Sequence, residues 1–175
     1  TYMKNVAISL EAVLGIDLKN SKYTFKENKA RINQLPLEFT NLFRKIQYLG
    51  PLRDFPKRIY RWAGERYNIG NEGENAIFVL LQPHPRLRYN PTLKVAKWLR
   101  ELGLIHSFEL HRIAKNRQEY EVKVRVKEHA QEVLLTEVGF GVSQILPVLV
   151  ACATAQEGTI LIFEQPEIHL HPAVQ

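Results

Sequence analysis

Residues 139–163 read GFGVSQILPVLVACATAQEGTILIF: a glycine turn, a helix-length run apolar nearly all round, a second glycine, and a short apolar strand. A helix without a polar face must be buried against a sheet. A strand without polar alternation reads as a buried, parallel one. Helix then parallel strand constrains the fold to layered α/β, with a right-handed crossover laying the helix over the sheet. Gly158 is expected to end the helix, and Pro147 fits only its first turn or a kink.

The strand runs directly into Glu164, followed by Gln165, Pro166 and Glu167. Ligands in open α/β sheets sit at the carboxyl ends of the strands. A carboxylate fixed there suits a Mg²⁺ that bridges nucleotide phosphates, so Glu164 is the candidate metal ligand. Upstream, Gly139 and Gly141 allow close backbone approach to a ligand, and Ser143 or the adjacent amides are candidate helix caps facing an anion.

Charge is unevenly spread. All 24 Lys and Arg lie in residues 1–129, which carry +11, whereas residues 130–175 carry −5. The basic part is either solvated surface or a face for a polyanion, nucleotide phosphate or nucleic acid. Within it, residues 53–66 interleave Arg53, Arg58 and Arg61 with Phe55, Tyr60 and Trp62. No apolar run is long enough to span a membrane, and no signal-peptide pattern opens the chain. The lone cysteine, Cys152, lies in an apolar run and is expected to pack in the core of a protein kept in a reducing, cytoplasmic compartment.

The remaining elements are read from their periods. NPTLKVAKWLRELGLI predicts a helix capped by Asn90, opened by Pro91 and closed at Gly103, with Leu93, Ala96, Leu99 and Leu102 inward. NIGNEGENAIFVLLQP predicts a glycine turn at Gly73, a helix over 74–81 and a stop at Pro83. HSFELHRI, EYEVKVRVKE and EVLLTEV predict strands, with AKNRQ as the turn of a hairpin. Residues 1–46 remain an unassigned lead-in, with Leu37, Leu42, Phe43 and Ile46 as core candidates. Four segments follow: that lead-in, an arginine-rich loop and helix over 47–83, a helix plus β region over 84–135, and the helix–strand–acid unit over 136–175. Because the chain starts at Thr1 and Pro172 looks like the start of another helix, it is expected to be a piece of a longer protein.

The stretches QYLGPLR, NIGNEGENA, TEVGFGVSQILPVLV and LIFEQPEIHLHPAVQ together resemble the heads of ATP-binding-cassette and SMC-like ATPases. They resemble most closely the AAA-type ATPases of the overcoming-lysogenization-defect and Septu-like prokaryotic defence group. The resemblance implies a partial P-loop NTPase head with an added antiparallel β region and helices. It implies ATP and Mg²⁺ as ligands. Glu164 takes the place of the Walker B acid. Gly139, Phe140, Gly141, Val142, Ser143 and Gln144 take that of the signature loop, which meets nucleotide bound by another subunit. Residues from Glu167 through His169, Leu170 and His171 take that of the loop lining the dimer seam.

The partner implied is a second copy, its Walker A loop against this signature loop, with DNA and a nuclease as further partners in antiphage defence. The stretch FGVSQ departs from the usual LSGGQ by shifting the serine. No G-x-x-x-x-G-K-[ST] occurs in the 175 residues, so this chain alone is expected to hydrolyse no ATP.

Gln165 stands where such ATPases usually place a catalytic glutamate. A glutamine orients water but cannot accept its proton, so slow hydrolysis, a base at Glu167, a base elsewhere or an engineered glutamine are the open alternatives. His169 and His171 suit either metal ligation or packing before Pro172. The alternative function is a nucleic-acid-binding module, or a degenerate head without hydrolysis, motivated by the basic segment and its aromatics.

Overall fold

The computed structural model describes residues 45–167, all within one compact unit. Strand β1 (Ile46–Leu49) pairs in parallel with β6 (Ile160–Phe163), in a register that sets Ile46 opposite Ile160 and Leu49 opposite Phe163. Both strands therefore end on the same side. Among the described residues β6 pairs with β1 alone.

The antiparallel sheet is built around β4 (Glu119–Arg125). Strand β3 (Ser107–Arg112) forms the expected hairpin with it, pairing Ser107 with Arg125 and Arg112 with Tyr120. The two-residue strand β2 (Tyr60–Arg61) lies on the other side of β4, and β5 (Val133–Leu134) also pairs with β4. EVLLTEV is thus mostly not strand: a 3₁₀ turn takes Leu135–Glu137, where the Glu137 carboxylate accepts from the Leu134 amide at 3.2 Å.

Helix α1 (Ala76–Leu81) starts later than the predicted residue 74. The Glu74 carboxylate instead accepts from the Glu72 amide at 3.1 Å, which stabilises the turn before the helix. Helix α2 (Pro91–Glu101) begins as predicted: Asn90 Oδ1 accepts from the amides of Thr92 at 2.8 Å and Leu93 at 3.4 Å. Its inward face differs. Pro91, Val95, Ala96 and Leu99 are buried, while Leu93 is 69% exposed. The contact with α3 (Phe140–Thr154) selects the row at i, i+4 and i+8, and Leu93 lies off that row.

Helix α3 is buried along most of its length, with Val150, Ala151 and Ala153 fully enclosed. It ends at Thr154, not at Gly158, whose φ of 78° turns the chain into β6. Gly139 is its N-cap, with no side-chain cap. Ser143 lies inside the helix, and its hydroxyl donates to the Phe140 carbonyl at 2.7 Å, so it does not cap. Pro147 is interior, beyond the first turn, and deprives the Ser143 carbonyl of its usual amide partner. Cys152 is half-buried on α3, and burial pushes its thiol pKa up.

Strand β6 is less buried than its all-apolar sequence predicts. Ile160 and Ile162 are 46% and 45% exposed, while Leu161 and Phe163 pack against the core. A strand has two faces, and the described core covers one of them. Ile46 lies half-buried in β1; Leu37, Leu42 and Phe43 lie outside the described residues. No helix among the described residues is long and apolar enough to cross a membrane.

Candidate functional site

Because β1 and β6 are parallel, the loops that follow them leave side by side. The Glu164 amide donates to the Leu49 carbonyl at 3.0 Å and extends the pairing one step beyond the strand. Tyr48 Oη donates to Glu164 Oε1 at 2.7 Å. Glu164 is exposed, and its Oε2 has no hydrogen-bond donor among the described residues. Ionising Tyr48 would place a phenolate beside this carboxylate, so the hydrogen bond to Glu164 raises the Tyr48 pKa.

The loop after β1 is tied to the glycine turn by two main-chain bonds. The Gly50 amide donates to the Asn71 carbonyl at 2.7 Å, and that of Asp54 to the Glu72 carbonyl at 2.8 Å. These bonds fasten the glycine turn of residues 70–75 beneath the loop. Gly73 has a φ of 76°, and a Cβ on it would lie 2.5 Å from Pro147 Cβ. The turn therefore abuts α3 where only a hydrogen fits. Beside this junction is a cavity of about 30 Å³, lined by Asp54, Phe55, Ser143 and Pro147 among others, roughly the room of one water. Phe55 also meets Phe140, at the start of α3, with ring centroids 5.5 Å apart.

Arg53 lies inside this junction, only 6% exposed. Its Nη2 donates to the Glu164 carbonyl at 2.9 Å. Its Nη1 donates to the carbonyls of Pro51 at 2.9 Å and Gln165 at 3.3 Å. Burial lowers its pKa, and the Glu167 carboxylate acts in the opposite direction. Gln165 has a φ of 46°, the one non-glycine residue with positive φ among those described.

The structure thus gathers the ends of all four stretches singled out in the sequence: the loop after β1, the glycine turn, the start of α3 and the turn after β6. Glu164, Gln165, Glu167 and Arg53 meet at that junction, and Gly139, Phe140, Gly141 and Ser143 belong to the neighbouring start of α3. Val142 and Gln144 are buried in α3, and Gln144 Nε2 has no hydrogen-bond partner among the described residues.

Arg58 and Arg61 are elsewhere. Arg58 pairs with Glu137 at 3.6 Å and Arg61 with Glu119 at 3.1 Å, both exposed. His169, Leu170 and His171 lie outside the described residues. Tyr48 is the residue that sequence reading passed over; it stands 116 positions from its partner, beyond any spacing rule.

Among the described residues no three His, Cys, Asp or Glu side chains converge. Glu164 itself offers a cation one carboxylate. That suits Mg²⁺, which keeps most of its waters and takes further oxygens from phosphates. Three larger hollows, of about 640, 420 and 320 Å³, contain none of the candidate site residues; the last two share Tyr67, His84, Thr154 and Gln156.

No curated protein matches the chain, and neither does any solved structure. Residues 29–175, most of the chain, match the family described as "AAA domain, putative AbiEii toxin, Type IV TA system". The mixed α/β architecture, with one parallel and one antiparallel sheet, is consistent with a P-loop ATPase-type domain. The chain belongs to this family of AAA domains.

Proposed function

We propose that the protein binds ATP with Mg²⁺ and hydrolyses it slowly, as part of an ATPase head that works as a nucleotide-gated dimer. The observation that carries this reading is Glu164: an exposed carboxylate at the carboxyl end of a parallel strand, with one oxygen held by Tyr48 and the other without a donor among the described residues. The match to an AAA family supports the nucleotide chemistry. Mg²⁺, when bound, neutralises charge on the phosphates and orients them for in-line attack.

Glu164 holds the cation. Gln165 orients the attacking water without accepting its proton, and Glu167 is the nearest candidate base. The resemblance assigns the start of α3, Gly139 to Gln144, to nucleotide presented by a second copy, and its N-cap Gly139 offers no side chain to compete for an anion. No G-x-x-x-x-G-K-[ST] motif occurs in these 175 residues, so this reading requires a phosphate cradle other than that motif within them. The resemblance to the overcoming-lysogenization-defect and Septu-like group further supports action on DNA, or control of a nuclease, in antiphage defence.

The test is ATP binding and turnover by the full-length protein and its Glu164→Gln variant. Mg²⁺-dependent turnover should fall at least about 100-fold while ATP still binds. Unchanged turnover would overturn the assignment of Glu164.

A further inference from the structure

The basic segment was expected to offer Arg53 to a phosphate or a nucleic acid. The structure turns it inward, and its bonds suggest a different task. A guanidinium taken from water is costly unless its donors are satisfied. Among the described residues its hydrogen bonds go to main-chain carbonyls, and buried Nε has no hydrogen-bond partner. An aliphatic side chain would fill the same space at less cost. What it could not do is donate to three carbonyls drawn from two loops more than 110 residues apart in sequence.

Two of those carbonyls are consecutive, Glu164 and Gln165. In an extended strand, successive carbonyls point to opposite sides. Both can reach one guanidinium only if the chain turns between them, and Gln165, at φ 46°, makes that turn. A non-glycine residue in this conformation is strained and persists only when its surroundings hold it. The grip falls on the main chain of the acid and of its neighbour.

We propose that Arg53 is a positioning residue: by clasping the carbonyls of Glu164 and Gln165 it holds the turn after β6 and thereby sets where these two side chains point. Its proposed consequence for Mg²⁺ rests on the reading of Glu164 as the metal-holding acid. The clasp itself does not. Arg53 is also continuous with Asp54, bonded to the glycine turn, and with Phe55, against Phe140. The loop that grips the acid therefore also touches the start of α3.

The test uses the full-length protein with Arg53→Met and Arg53→Lys. Without nucleotide, hydrogen exchange at the Glu164 amide should rise at least 10-fold in Arg53→Met and less in Arg53→Lys, with the exchange of β4 unchanged. With ATP, the Mg²⁺ concentration giving half-maximal turnover should rise about 10-fold, while KM for ATP at saturating Mg²⁺ changes less than about 2-fold. A folded variant with wild-type exchange at Glu164 overturns the clasp. Faster exchange with an unshifted Mg²⁺ requirement overturns the positioning role. If Arg53→Met does not fold, Arg53→Lys decides by the same criteria. If the wild-type protein turns over no ATP, the ATPase reading fails, and the exchange measurement alone decides the clasp.

Discussion

Tyr48 and Glu164 are joined by a 2.7 Å hydrogen bond across 116 residues of sequence, with the phenol donating to the carboxylate. Parallel pairing of β1 and β6 brings them together: Tyr48 is opposite Ile162, so the tyrosine and the acid just beyond the strand are near neighbours on adjacent chains. One oxygen of Glu164 is thereby oriented before any ligand arrives.

The Tyr48 pKa is raised above its ordinary value of 10.0, chiefly by the hydrogen bond to Glu164. A raised pKa means that this contact stabilises the fold fully below about pH 10 and is lost as pH rises through the folded-state value. The difference in phenolate absorbance between wild type and Tyr48→Phe isolates this group. Glu164→Gln should move its midpoint down towards the ordinary value; an unmoved midpoint would show that the carboxylate is not the cause.

Gly73 has no room for a side chain. Gly73→Ala would put a Cβ 2.5 Å from Pro147 Cβ at a φ of 76°. Left-handed strain and overpacking together predict a loss of roughly 2–5 kcal/mol in urea unfolding. Adding Pro147→Gly, which removes the opposing Cβ, should relieve the contact but not the backbone strain. Equal stability of Gly73→Ala and wild type would mean that α3 and the glycine turn do not meet as described.

The inward face of α2 can be checked with two leucines. Leu99 is fully buried and Leu93 is 69% exposed. Leu99→Ala should cost about 2–5 kcal/mol, whereas Leu93→Ala should stay within about 0.5 kcal/mol. The reverse order would restore the face that the leucine spacing suggests.

Gln165→Glu places a proton acceptor beside the candidate metal acid. If the missing base limits the reaction, ATP turnover by the full-length protein should rise, by at most the ~10²–10⁴-fold that a positioned base supplies. No rise would assign the base to Glu167 or to a residue beyond this segment.

Local patterns were readable where the cause is local. The Asn90–Pro91 start of α2 follows from a side chain that reaches amides two and three residues on. The β3–β4 hairpin follows from alternation on either side of a polar turn. The near-continuous apolar run of α3 announced its burial. The exposed acid at the end of β6 was legible for the same reason: it breaks an apolar run abruptly. Burial of particular faces was less legible. Leu93 and the isoleucines of β6 are apolar yet exposed, because exposure depends on what packs opposite, and a period does not name the opposing element.

The sequence by itself determined the three helices, the β3–β4 hairpin, strand β6, the α/β class and Glu164 as the residue to examine, since these rest on caps, periods and strand-end chemistry within a few residues. Only the tertiary structure decided that β1 is the partner of β6, that Tyr48 meets Glu164, and that Arg53 turns inward to hold the acidic turn. Each of these contacts joins segments more than 100 residues apart. Their geometry is set by parallel strand register and by the burial of a cation among carbonyls, and both exist only once the chain has folded.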